Sequence, residues 1–196
     1  MGTKVNTLSS SLSPIFLNEK EQGSQIIIDV PAGEALYVIE QHGPEDQTFV
    51  FNLRHPGTQL FLRGLIQAEG ESAPRLITKV IHHAPHTQAD TLMRTLVRDK
   101  AQPRYEGLIQ IAENAQDCES YLNHHSLVLS PTATSWSIPS LEIKANQVKC
   151  SHAATIRTIT ELDLFYARSR GIDAGSAREM LIEAFISDIP VQEAVK

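Results

Sequence analysis

Short apolar runs, many of them β-branched, recur along the chain from about Ser24 onward. Ile26–Ile28, Ala35–Ile39, Phe49–Leu53 and Leu60–Ile66 begin about a dozen residues apart. Leu76–Ile81, Leu92–Val97, Leu108–Ile111, Leu127–Leu129 and Leu141–Ile143 follow at wider spacing. Each run has the length of a strand and falls short of a helix. Turn formers separate them: Pro31-Ala32-Gly33, His42-Gly43-Pro44, His55-Pro56-Gly57, Glu69-Gly70, Pro131 and Pro139. This pattern predicts an all-β body. A sandwich or barrel fits it, and so does a β-solenoid whose coils bury their apolar sides on one another. The alternation through Phe49, Phe51 and Leu53 suits either, so periodicity leaves the choice open.

Near residue 158 the period changes. Thr160 is placed to cap a helix, with Asp163 three positions on as a variant of the capping box. Leu162, Phe165 and Tyr166 then share a helical face, and Gly171 suits the position just past the helix end. Asp173 can cap a second helix with an apolar stripe of Ala177, Met180, Leu181, Ala184 and Phe185, ended by Pro190. Two short amphipathic helices must pack on the β body, on a partner, or on both. The expected organisation is a disordered, Ser-rich leader over 1–13, a β core over 14–158, and a helical segment over 159–196.

Composition narrows the function classes. Of 196 residues, 41% are hydrophobic and 20% charged, as in an ordinary globular domain. The net charge is −6, which gives no footing for nucleic-acid binding. No apolar stretch approaches membrane-spanning length, and Met1 to Ser13 lacks the apolar run of a secretory signal. Cys118 and Cys150 do not make a disulfide framework, which points to a reducing, cytoplasmic setting.

Candidate chemistry lies in a few side chains. Cys150 and His152 alternate, so on a strand they face the same way. A thiolate and an imidazole suit iron or zinc but are too few to hold either alone. Their plain alternatives are a small buried hydrophobe and a structural histidine. His82, His83 and His86 form the densest histidine group; His82 and His86 are candidate metal ligands, with turn-packing histidines as the commoner explanation. Pro85 makes that segment extended. His124 and His125 are adjacent and would face opposite ways on a strand. Cys118 reads as buried. Asp90, Arg94, Arg98 and Asp99 could line a groove of a polysaccharide-active β-helix enzyme, but no paired carboxylates of the kind such chemistry uses are clustered here.

The segment Pro139-Ser-Leu-Glu-Ile, followed by Val148-Lys-Cys-Ser-His-Ala-Ala-Thr155, resembles a signature of the SufB/SufD family of iron–sulfur cluster assembly scaffolds. Leu164-Phe165-Tyr166 and Ser169-Arg170-Gly171-Ile172 resemble further family motifs. So do the His82–Thr87 segment, Gly107–Ile111, Ala115-Gln116 and Leu127–Ser130. The resemblance implies a right-handed parallel β-helix followed by C-terminal helices, which favours the solenoid. It implies a SufD-like scaffold, not an enzyme, that pairs through its β-helix with a SufB-like or identical chain. A SufC-like ABC ATPase would dock on residues 160–187. His152 would be the residue tied to cluster assembly at the seam with SufB, with Cys150 beside it. Iron or an iron–sulfur cluster would be transient cargo, none being expected at rest. Ala133 and Ala153 stand where SufB carries a cysteine and an acidic residue, so this is not a SufB-type sulfur-handling chain. A degenerate member keeping the fold and the ATPase contact without cluster chemistry is the alternative. Family members are about twice as long, so a partner or the first strands would have to cover the solenoid end.

Overall fold

A β-rich chain whose apolar runs recur but do not form hairpins can satisfy its backbone by stacking each strand on the equivalent strand one coil earlier. The computed structural model describes residues 12–17 and 25–191 and shows this arrangement. The strands are β1 (Ile15–Leu17), β2 (Gln25–Asp29), β3 (Glu34–Gln41), β4 (Gln47–Leu53), β5 (Gln59–Ala68) and β6 (Arg75–His82). Then come β7 (Gln88–Val97), β8 (Arg104–Ile111), β9 (Cys118–Val128), β10 (Trp136–Ile143) and β11 (Val148–Thr158). Odd-numbered strands form a six-stranded sheet in the order β1-β3-β5-β7-β9-β11, and even-numbered strands a five-stranded sheet in the order β10-β8-β6-β4-β2. Every pairing is parallel. The chain alternates between the two sheets, so the body is a parallel β-helix, which decides the fold in favour of the solenoid. The leader expected over 1–13 falls, for residues 1–11, outside the described residues.

Register sets the coil length. Glu34 lies beside Gln59, Gln59 beside Gln88, Gln88 beside Glu119 and Cys118 beside Val148. Inward positions stack into ladders between the sheets. Phe49, Phe51, Leu53, Leu60, Leu62, Leu76, Met93, Tyr105, Ile109 and Leu122 belong to one interior core. One corner needs a left-handed residue in successive coils: Gly57 (φ 74°), His86 (φ 60°) and Asp117 (φ 57°). Gly57 and His86 donate their backbone N–H to the next coil, to Pro85 and Gln116 carbonyls respectively.

The helices are α1 (Glu161–Ser169) and α2 (Ala174–Ile186). Thr160 caps α1 and forms the reciprocal capping box with Asp163, and Asp173 caps α2 through the Gly175 and Ser176 amides. Gly171 (φ 86°) takes the turn after α1. α2 lies on the outer face of the six-stranded sheet. Its Ile182, Phe185 and Ile186, with Ile189 beyond, pack on Leu36, Val38, Phe61, Leu65, Leu96 and Leu127. The Arg94 guanidinium sits 4.9 Å from the Phe185 ring centre and donates to Asp188 at 2.7 Å. Arg178 donates to the Leu129 carbonyl. The buried stripe therefore differs from the expected one. Ala177 and Phe185 are buried as expected, but Met180 is 45% exposed and Ile182 and Ile186 take the packing positions. The helix is rotated so that these two, with Phe185, meet the sheet.

Interior space is tight where β8 passes beneath β9. A Cβ on Gly107 would fall 2.3 Å from Leu122 Cδ1 and 2.9 Å from the Tyr105 hydroxyl, both fully buried side chains. Gly107→Ala should destabilise the chain by roughly 1–3 kcal/mol through overpacking. Urea denaturation of the two proteins measures it, and an unchanged midpoint would show that the interior yields freely there.

Candidate functional site

β11 presents Cys150 and His152 because it is a strand of alternating faces on the end of a sheet. Its register places Val148, Cys150, His152 and Ala154 beside Cys118, Ser120, Leu122 and His124 of β9. The β9 residues in that row are inward and buried, so Cys150 and His152 share the inward face, one coil above them. Among the described residues no further coil covers them. Cys150 is half-buried and packs on the interior core, while His152 is exposed. Burial pushes the Cys150 thiol up to about 11, so it carries its proton at neutral pH. β11 and β10 each end their sheet. Their outer edges therefore offer unpaired backbone groups among the described residues. Around this rim Trp136, Ile143 and Ile156 are 53%, 41% and 52% exposed.

The remaining candidates separate. His82 faces inward and is fully buried; its Nδ1 hydrogen-bonds Thr87 Oγ1 at 2.7 Å, and its Nε2 has no hydrogen-bond partner among the described residues. His83 faces outward and pairs with Asn52 Oδ1 at 3.0 Å. His86 sits on the left-handed corner with its side chain at the surface, 3.9 Å from Asp117. His82 and His86 thus lie on opposite sides of the wall, one ring buried in the lumen and the other at the surface, because the corner turns the chain between them. No group of three His, Cys, Asp or Glu among the described residues is arranged to hold a metal ion.

Cys118 is buried, its sulfur within 3.1 Å of Thr87 Oγ1 and 3.4 Å of the Ala84 carbonyl. His124 points inward and His125 outward. Asp90 is engaged by Arg63, Arg94 by Asp188, and Asp99 accepts from the Gly70 amide. Each of these three is thus engaged in a contact within the chain. Ala133 packs beside Ala68, Val97, Ala101 and Val128, while Ala153 lies exposed on the outward face of β11.

A second surface stands apart from the rim. On α1, Leu162, Phe165 and Tyr166 are 75%, 68% and 65% exposed, and Met180 of α2 is exposed as well. An apolar cluster of this kind on a helical hairpin marks an interaction surface. Sequence patterning found these residues but did not show which side of the hairpin the sheet would take.

The family model for the SUF system FeS cluster assembly SufBD core domain matches residues 45–185. The chain belongs to the SufBD family. This family member is 35% identical over 108 residues to the iron–sulfur cluster assembly protein SufD of Escherichia coli K12. It is 37% identical over 112 residues to a SufBD family protein of Synechocystis, and 30% over 122 residues to one of Staphylococcus aureus USA300. These alignments cover 55%, 57% and 60% of this chain but only 26%, 24% and 26% of the relatives. The SufBD family member thus shares with them a segment of about a quarter of their length.

Its buried histidines make stability depend on pH. Burial, with His83 beside it, holds His82 down to about 4 from an ordinary 6.5. Above pH 6.5 His82 is neutral in both folded and unfolded chains. Below that, the unfolded chain takes up a proton that the folded chain refuses, so stability falls until about pH 4. Replacing His82 by Leu should remove about 2 kcal/mol of the stability lost between pH 7 and pH 5. Urea midpoints at the two pH values measure this. An equal loss in both proteins would show that His82 is protonated in the folded chain.

Proposed function

We propose that this chain is a SufD-like scaffold subunit for iron–sulfur cluster assembly, acting by two separate surfaces. The open terminal coil pairs with a SufB-like chain or a second copy. The free edges of β10 and β11 supply strand-to-strand hydrogen bonding, and Trp136, Ile143 and Ile156 supply apolar cover. The helical hairpin, through Leu162, Phe165, Tyr166 and Met180, binds a SufC-like ABC ATPase. The setting is cytoplasmic, and no described helix is long and apolar enough to cross a membrane.

One observation carries this reading: Cys150 and His152 share a face on β11, which among the described residues ends the six-stranded sheet. A sulfur and an imidazole nitrogen fit two positions of an iron site, and a cluster takes about four ligands. The others would come across the seam. His152 offers an imidazole nitrogen at the surface. Cys150 must lose the proton that burial keeps on it, so loading iron there releases protons and strengthens with rising pH. The iron–sulfur unit is cargo, held between chains and passed on.

Two measurements check the two surfaces independently. Phe165→Asp and Tyr166→Asp alter exposed positions and should leave folding intact. Together they should weaken binding of a SufC-like ATPase at least about tenfold in calorimetry; unchanged affinity removes the hairpin from the contact. In anaerobic reconstitution with iron, sulfide and the SufB-like partner, charge-transfer absorbance should fall in His152→Ala. Identical spectra for wild type and variant would favour the second reading, a family member with the fold and ATPase contact but no cluster chemistry. That reading draws on the proton-bearing Cys150 thiol and on the alanines at positions 133 and 153.

A further inference from the structure

The terminal coil has thin apolar support. Trp136 and Ile143 of β10 are 53% and 41% exposed, and β11 is exposed from Ser151 to Thr158. A buried polar cluster lies just beneath it. On β9, His124 and Ser126 face inward, and Ser135 and Ser137 flank Trp136 at the entry to β10. His124 Nδ1 and Ser137 Oγ share a hydrogen bond of 2.7 Å, and Ser126 Oγ and Ser135 Oγ one of 2.8 Å. One coil earlier, Thr95 Oγ1 of β7 meets His124 Nε2 at 2.8 Å. The Tyr105 ring lies 4.6 Å from the imidazole, and its hydroxyl pairs with Thr78 Oγ1 at 2.7 Å. His124, Ser126, Thr95, Tyr105 and Thr78 are all at most 1% exposed.

We infer that His124 is a positioning residue for the terminal coil: its ring joins β7, β9 and β10 and sets how the edge bearing Cys150 and His152 is presented. The inference rests on the scaffold reading for its functional meaning, and on the geometry alone for its structural content. A neutral imidazole has one donor and one acceptor, and a hydroxyl on each side can answer either. Burial holds the ring in that neutral form, its pKa pushed down to about 3. Every ring nitrogen is therefore satisfied, which is the condition under which a buried polar network fixes one arrangement. An apolar side chain of similar size would leave the Thr95 and Ser137 hydroxyls without their partner. Above the ring in register is Ala154, too small to hold the coil by packing.

Hydrogen exchange with peptide-level readout on the full chain tests this without iron or partner. In His124→Leu, amides of 136–143 and 148–158 should exchange at least about tenfold faster, while those of 59–68 and 88–97 stay within about twofold. His124→Gln, whose amide both donates and accepts, should recover most of the protection. Equal acceleration in all coils, or no change in the last one, would overturn the proposal, as would a Gln variant that behaves like Leu. Should His124→Leu not fold, Ser137→Ala cuts only the upper bond and should give the same local acceleration; its absence would equally overturn the proposal. Failure of cluster reconstitution or ATPase binding leaves this readout untouched, so the two readings stand or fall separately.

Discussion

Backbone hydrogen bonding between successive parallel coils is the constraint on which the rest of this structure depends. A β-helix satisfies the N–H and C=O groups of each strand only by laying another strand alongside. Inside the stack this works throughout, and the alternation of side chains then divides every strand into a lumen row and a surface row. At the end it stops. β10 and β11 have nothing beyond them among the described residues, and their unpaired edges follow from the same rule that orders the core. The functional reading grows from that end because the terminal strand there carries a thiol and an imidazole on the lumen row.

The two outer faces are treated differently. The six-stranded sheet is covered by α2, which brings Ile182, Phe185 and Ile186 to an apolar surface and adds Asp188 for Arg94. With α2 so committed, α1 is left presenting Leu162, Phe165 and Tyr166 to solvent. The hairpin is thereby divided: one helix belongs to the body and the other is free for contact. The Arg94–Phe185 stacking and the Arg178 bond to the Leu129 carbonyl hold α2 to the β body.

Much of this was legible along the chain, and the reasons are local. Helix ends were readable because capping is a short-range matter: Thr160 with Asp163, Asp173 with two following amides, and Gly171 at the turn. Most strands were readable from their apolar runs, since most inward residues are apolar. β11 carries no such run, because an uncovered strand has little lumen to fill, and the first part of β9 hides behind polar inward residues such as Ser120 and His124. The placement of the histidine group at 82–86 was hidden for a different reason. Nearness in sequence suggested a shared site, but a corner with a left-handed residue at His86 sends His82 and His86 to opposite sides of the wall.

By itself the sequence determined that the body is made of strands, that two capped helices follow, and that Cys150 and His152 are spaced to share a face if they lie on a strand. These are properties of neighbours, set by side-chain period, turn chemistry and capping over a few residues. Periodicity left sandwich and solenoid open and the family resemblance favoured the solenoid; the tertiary structure settled it and alone decided which helix face meets the sheet and that His124 lies between coils with both nitrogens engaged. Those depend on register between residues about thirty positions apart, such as Cys118 beside Val148. Local pattern contains no record of such pairings, because any inward apolar position could stack on any other of similar size.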